Sequence, residues 1–196
     1  DKNAVTEVME YYSSYFGEIQ IDIKKIQKSG TSATYADIKC QDKKPIKYKE
    51  LIRRLNEIKP HQKITADILS LAMEVFETLA EAESQIHGTN PEEVHFHEVG
   101  AADAVADIIG ASYCYYQLKM DNQKVYGLPV ALGGGRKQTS HGTITIPAPA
   151  TLEILKGIPT FGGPVNEELT TPTGAALLKV MVDEFMDFYP LLINGD

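Results

Sequence analysis

Cysteine is scarce in this chain: Cys40 and Cys114 are the only two among 196 residues, and they lie far apart. No CxxC pair exists, which excludes thiolate zinc ribbons and thioredoxin-type redox chemistry. The usage fits a reducing cytoplasm. Positive charge is short as well. There are 19 Lys and Arg against 27 Asp and Glu, a net charge of −8. The chain therefore lacks the basic face that nucleic acid or an anionic membrane surface would require, and its overall field favours a cationic ligand or a metal ion. No apolar run approaches the roughly 18 residues of a membrane span. Internal repeats, low-complexity tracts and heptad runs are missing too. So are GxSxG, HExxH and the kinase motifs. GGGRK at 133–137 has neither the GK[ST] of a P-loop nor the spacing of a dinucleotide fingerprint.

What is present is ordinary globular composition, 43% hydrophobic and 23% charged, in a chain long enough to bury a core without disulfides or structural zinc. The expectation is one domain over 1–196, belonging to a longer gene product. Val5, Val8, Met9, Tyr12 and Phe16 have helical spacing, with Gly17 as a stop. EIQIDIKKIQ alternates, KSGT turns, and ATYADIKC alternates again, so a β-hairpin is predicted over about 18–41. A helical and site-bearing region follows over about 46–120. It holds a helix at YKELIRRLNEI, a long helix with Thr65 as a cap candidate and Gly88 at its end, the short extended VHFHEV, and a helix through GAADAVADIIGASYCYYQLK. The region over about 124–190 reads as a buried strand (KVYGLPVALGG), a glycine-rich loop (GGRKQTSHG), an extended-to-helical stretch after Pro147 or Pro149, and a last helix (TPTGAALLKVMVDEFM) with Thr171 at its N-cap. The fold class expected is α+β, a two-layer helix/sheet domain with a hairpin near the N-terminus and several long helices.

The densest chemistry lies in VHFHEVG, residues 94–100. In an extended segment residues i and i+2 project to one side, so His95 and His97 can share an ion while Phe96 points into the apolar layer. Glu98 is either a ligand, a hydrogen-bond partner for an imidazole, or a catalytic acid–base. Asp103 and Asp107 follow at i and i+4 in the first turns of the next helix, where the dipole favours negative charge. Two histidines with carboxylates make an N/O site suited to Ni, Zn, Mn or Co. The alternative is a solvated polar strand end. His141 joins the site only if the fold brings its loop there, and His61 and His87 read as helix-end polar groups. Arg136 and Lys137, with the preceding glycine N–H groups, can hold an anion or simply form a hairpin. Glu168, Thr170 and Thr171 suit either an anion or a capped helix.

HFHEVGAADAVADIIGA, LPVALGGG, HGTITIPAPATLEILKG and ELTTPTGAAL occur in that order and together resemble the LarC nickel-insertion family. FETLAEAESQIHG and GEIQIDIKKIQKSGTSATYADI resemble it as well, so the likeness covers roughly residues 17–185. The resemblance implies a cytoplasmic homo-oligomer that loads Ni(II) into the pyridinium-bisthiocarboxylate mononucleotide to form the nickel-pincer cofactor of lactate racemase. It implies use of CTP with a divalent cation, expected through a C-terminal domain beyond this chain. The family's marked polar positions fall on His95, His97, Glu98, Asp103, Asp107, His141, Glu168, Thr170 and Thr171. The family's histidine-rich stretch before the helix at 48 reads KPIKYKEL here, with Lys47 where a histidine is expected. Two rival readings use the same residues: a Zn- or Mn-dependent hydrolase with Glu98 as base, and a non-catalytic assembly domain.

Overall fold

The computed structural model describes residues 2–40, 46–96, 102–139 and 142–187. Its interior is helical. α1 (Lys2–Ser13) buries Val8, Met9 and Tyr12, the predicted stripe. α2 (Tyr48–Glu57) buries Leu51 and Leu55. α3 (Ala66–His87) starts where Thr65 accepts from the Ile68 N–H, and it closes at Gly88. α4 (Ala102–Gln117) is the central element. It packs on α1, α3 and the later α6, and Ala102, Val105, Ala106, Ile108, Ile109, Gly110 and Ser112 are all buried. A helix apolar on most of its circumference belongs inside. The approach to α1 is close: a Cβ at Gly110 would sit 2.8 Å from Met9 Cγ.

Around this body lie narrow ribbons. β1 (Ile19–Lys28) and β2 (Thr31–Cys40) form the predicted hairpin, with Ile19 opposite Cys40 and Lys28 opposite Thr31. β3 (Ile46–Lys47) pairs antiparallel with β4 (His95–Phe96). β5 (Tyr126–Gly127), β6 (Val130–Ala131), β7 (Arg136–Thr139), β8 (Gly142–Thr145), α5 (Pro149–Ile154), β9 (Thr160–Phe161), α6 (Pro172–Met181) and β10 (Glu184–Phe185) complete the order. Among the described residues every sheet has two strands. The α+β class, the N-terminal hairpin and the long helices are as expected.

Three local expectations are corrected. KVYGLPVALGG is not one strand but β5 and β6, separated at Leu128 and Pro129. Proline has no N–H for a ladder, and Leu128 is exposed. GGRKQTSHG, read along the chain as a loop, forms the hairpin that is the other reading of Arg136 and Lys137: Arg136 to Thr139 pair in register with Thr145 to Gly142. This ribbon is largely solvated, so no buried face imposed an apolar alternation that could be read. The last helix stops at Met181, not Met186. Val182 is extended, and the next residues pair with the segment that follows α4: Asp183 N–H donates to Val125 O (2.9 Å), and β10 runs parallel to β5.

Candidate metal centre

β4 is two residues long, yet it is firmly seated. Val94 and Phe96 are 3% and 1% exposed, while Glu93 and His95 between and beside them are exposed. The period-two reading of VHFH is therefore met over the described part: the apolar residues anchor and the imidazole of His95 faces outward. Tyr48 N–H donates to Val94 O (3.0 Å), and the Tyr48 ring meets Phe96 edge-on at 6.0 Å. His97, Glu98 and His141 lie outside the described residues.

Asp103 and Asp107 stand one turn apart on α4. Asp103 Oδ1 accepts from the Ala104 N–H (2.9 Å). Burial beside the helix, and then the neighbouring Asp103 charge, push the Asp107 carboxyl up to about 6. The residue keeps an exposed surface, so water screens part of that effect. A carboxylate whose ionisation is opposed in this way, as that of Asp107 is, gains from a cation beside it. Among the described residues, no group of three or more His, Cys, Asp or Glu stands ready to hold a metal ion.

The proposed anion contacts are brought together, but into one another. Lys137 Nζ lies 2.7 Å from Glu168 Oε2, and the Glu168 side chain is only 11% exposed. Gly133 bridges to Glu168. The N–H groups of Gly133 and Gly134 donate to Gly162 O (2.6 Å) and Glu167 O (3.2 Å), so these two N–H groups are taken up by the chain itself. Glycine is needed at 133 because its φ is +82° and a Cβ there would lie 1.8 Å from Glu167 O. Thr170 Oγ1 donates to Ala131 O (2.8 Å), and Thr171 Oγ1 accepts from Gly174 N–H (3.2 Å) as the cap of α6. Arg136 remains exposed on β7.

Sequence reasoning missed the company of His95. The β3–β4 register sets Lys47 directly opposite it, and Lys47 Nζ lies 2.7 Å from Glu93 Oε2. That ammonium, with lesser help from Lys49 and His95, lowers the Glu93 carboxyl below its ordinary range. Only the alternation of His95 and Phe96 was readable beforehand, because the opposite strand is nearly 50 residues away in sequence. His61 has a different role from a helix-end polar group. Its Nε2 meets Glu7 Oε1 at 3.1 Å, its Nδ1 accepts from Lys63 N–H at 3.2 Å, and the side chain is 11% exposed.

Comparison with known proteins agrees with the resemblance read from the motifs. The family model described as "Nickel insertion protein" matches residues 1–195. A "Putative nickel insertion protein" of Methanosphaera stadtmanae is 48% identical over 97% of this chain and 48% of its own length. One of the same description from Methanothermobacter thermautotrophicus is 47% identical over 94% of this chain and 44% of its own. The "Pyridinium-3,5-bisthiocarboxylic acid mononucleotide nickel insertion protein" of Clostridium kluyveri is 40% identical over 86% of this chain and 44% of its own. The chain thus spans about half the length of these curated relatives. No solved structure matches significantly. With the family model matched almost from end to end, and relatives this close, the chain belongs to the nickel insertion protein family.

Proposed function

We propose that this chain is the nickel-handling part of a nickel insertase, and that Ni(II) is its cargo, passed to a pyridinium-bisthiocarboxylate mononucleotide to form the nickel-pincer cofactor of lactate racemase-type enzymes. The carrying observation is the 40% identity to a relative named for insertion into that mononucleotide, spanning the segment that presents His95. In this reading His95 and His97 capture the ion with carboxylate help from Glu98, Asp103 and Asp107, and with His141 as a further ligand. Imidazole and carboxylate bind Ni(II) yet exchange it more readily than a closed thiolate cage, so the softer sulfurs of the acceptor can draw it away. Glu98 serves as ligand or as the base that orients an imidazole. Arg136, Lys137, Glu168, Thr170 and Thr171 belong to the acceptor side. For Lys137 this requires exchange of Glu168 for an acceptor anion, and for Thr171 it requires use of the α6 N-terminus it caps. CTP with a divalent cation, lyase-type activity, homo-oligomerisation and a cytoplasmic location belong to the same reading.

The test is a calorimetric titration of the purified chain with Ni(II). His95→Ala combined with His97→Ala is expected to abolish binding, and unchanged affinity would end the metal assignment for this motif.

A further inference from the structure

Lys47 and His95 come from segments nearly 50 residues apart, yet the antiparallel register makes them direct cross-strand partners. Such partners share one face of a ribbon, with their Cβ atoms about 5 Å apart. Ile46 and Phe96, the neighbouring pair, turn the other way: Phe96 is buried and Ile46 packs against the core. Lys47 is thereby held at the edge of the position where His95 faces outward. Its ammonium is in turn held by Glu93, at 2.7 Å, with the lysine side chain 45% and the glutamate 61% exposed. Glu93 ends the 3-10 turn Pro91–Glu93 just before the strand, is exposed, and its carboxylate reaches the ammonium of Lys47, the cross-strand partner of His95. An ion pair this open to water adds little stability and exchanges its partners readily. A lysine beside a nickel ligand also opposes the ion it neighbours, so it contributes nothing to capture. It suits an anion.

We infer that Lys47 is the cationic contact for the anionic group of the nickel acceptor at His95, with Glu93 as its resting counter-ion. When the acceptor docks, its carboxylate-type or phosphate group takes the ammonium and Glu93 swings free. The acceptor is thereby pinned with its donor atoms next to the imidazole that carries the ion. This inference rests on the reading of His95 as a nickel ligand.

The experiment measures, on the whole chain, the affinity for Ni(II) and separately for pyridinium-3,5-bisthiocarboxylic acid mononucleotide. The variants are Lys47→Ala, Lys47→Arg, Glu93→Gln and Lys49→Ala. Lys49 is the control, because it forms a like pair with Glu92 (3.2 Å) on the same seam. Lys47→Ala is expected to weaken the mononucleotide about tenfold, as for loss of one charge-assisted contact. Lys47→Arg retains it, Glu93→Gln leaves it equal or tighter, and Lys49→Ala stays within about twofold. Nickel affinity in Lys47→Ala is unchanged or tighter. Competition by inorganic phosphate or by pyridine-3,5-dicarboxylate, lost in Lys47→Ala, identifies which anionic group is held, and either result supports the contact. The inference is overturned if the unsubstituted chain does not bind the mononucleotide. It is also overturned if Lys47→Ala behaves like Lys49→Ala, or if Glu93→Gln weakens binding as much as Lys47→Ala with an equal drop in Tm. Failure of the nickel reading shows separately, as nickel affinity that ignores His95→Ala with His97→Ala.

Discussion

The α3–α4 body and the β3–β4 ribbon are built on opposite terms. In α3 and α4, buried side chains meet others from several elements: Phe76, Leu79, Ile108 and Ile109 are fully enclosed. The ribbon is two residues long on each strand and owes its place to a few anchors, chiefly the Phe96 ring against Tyr48 and the core, with buried Val94 and half-buried Ile46 beside it. The helices are more redundantly held than the ribbon. In the proposed reading, a site that must take up an ion and give it away lies on a two-residue ribbon, while the mass of the domain keeps that ribbon in position. Low local redundancy is where local opening concentrates.

That contrast can be broken first at its strong side. Phe76→Ala removes a fully buried ring and is expected to lower unfolding free energy by about 3–5 kcal/mol, measured by urea denaturation, with nickel affinity unaltered wherever the chain remains folded. Phe96→Ala is expected to cost roughly 3 kcal/mol and to weaken nickel binding as well, because the ring seats the strand that carries His95. Equal nickel affinity in the folded fraction of both variants would erase the distinction between body and ribbon.

The finest test concerns Asp107, whose carboxyl is pushed up to about 6 by burial and by Asp103. Nickel affinity should be level above about pH 7 and fall as pH drops through 6, because the proton competes for the same oxygens. Asp107→Asn should weaken nickel about tenfold, as for one lost ligand, and flatten that pH dependence. For the metal-free fold the sign is opposite. A carboxyl with a raised folded pKa contributes stability below its unfolded pKa and loses it as pH rises through the folded value. Thermal melts should therefore show the Asp107→Asn chain gaining relative to the unsubstituted one between acidic and neutral pH.

Much of the body was legible from residue order. The Val8, Met9 and Tyr12 stripe, the Thr65 cap, the Gly88 stop and the Thr171 cap rest on forces acting within a few residues, and such forces leave periodic or positional marks. The candidate site was half legible. His95 and Phe96 announce their opposite directions through period two, and Asp103 and Asp107 their common face. The meaning of GGGRK was not legible, because open glycine N–H groups and closely packed glycines are spelled identically until Glu167 O is known to lie against Gly133.

By itself, the order of residues determined where the helices lie, the Thr65 and Thr171 caps, the Gly88 stop, the first hairpin, the outward His95 and the motif series that marks the nickel insertion family. Only tertiary structure decided that Lys47 stands across from His95, that Lys137 is held by Glu168, and that residues 182–185 leave the helical path to join Tyr126. The physical reason is range. Helix periodicity, capping and strand alternation are settled among neighbours, whereas register across a ribbon and the destination of a carbonyl or an ammonium are settled by whatever the packed core brings alongside.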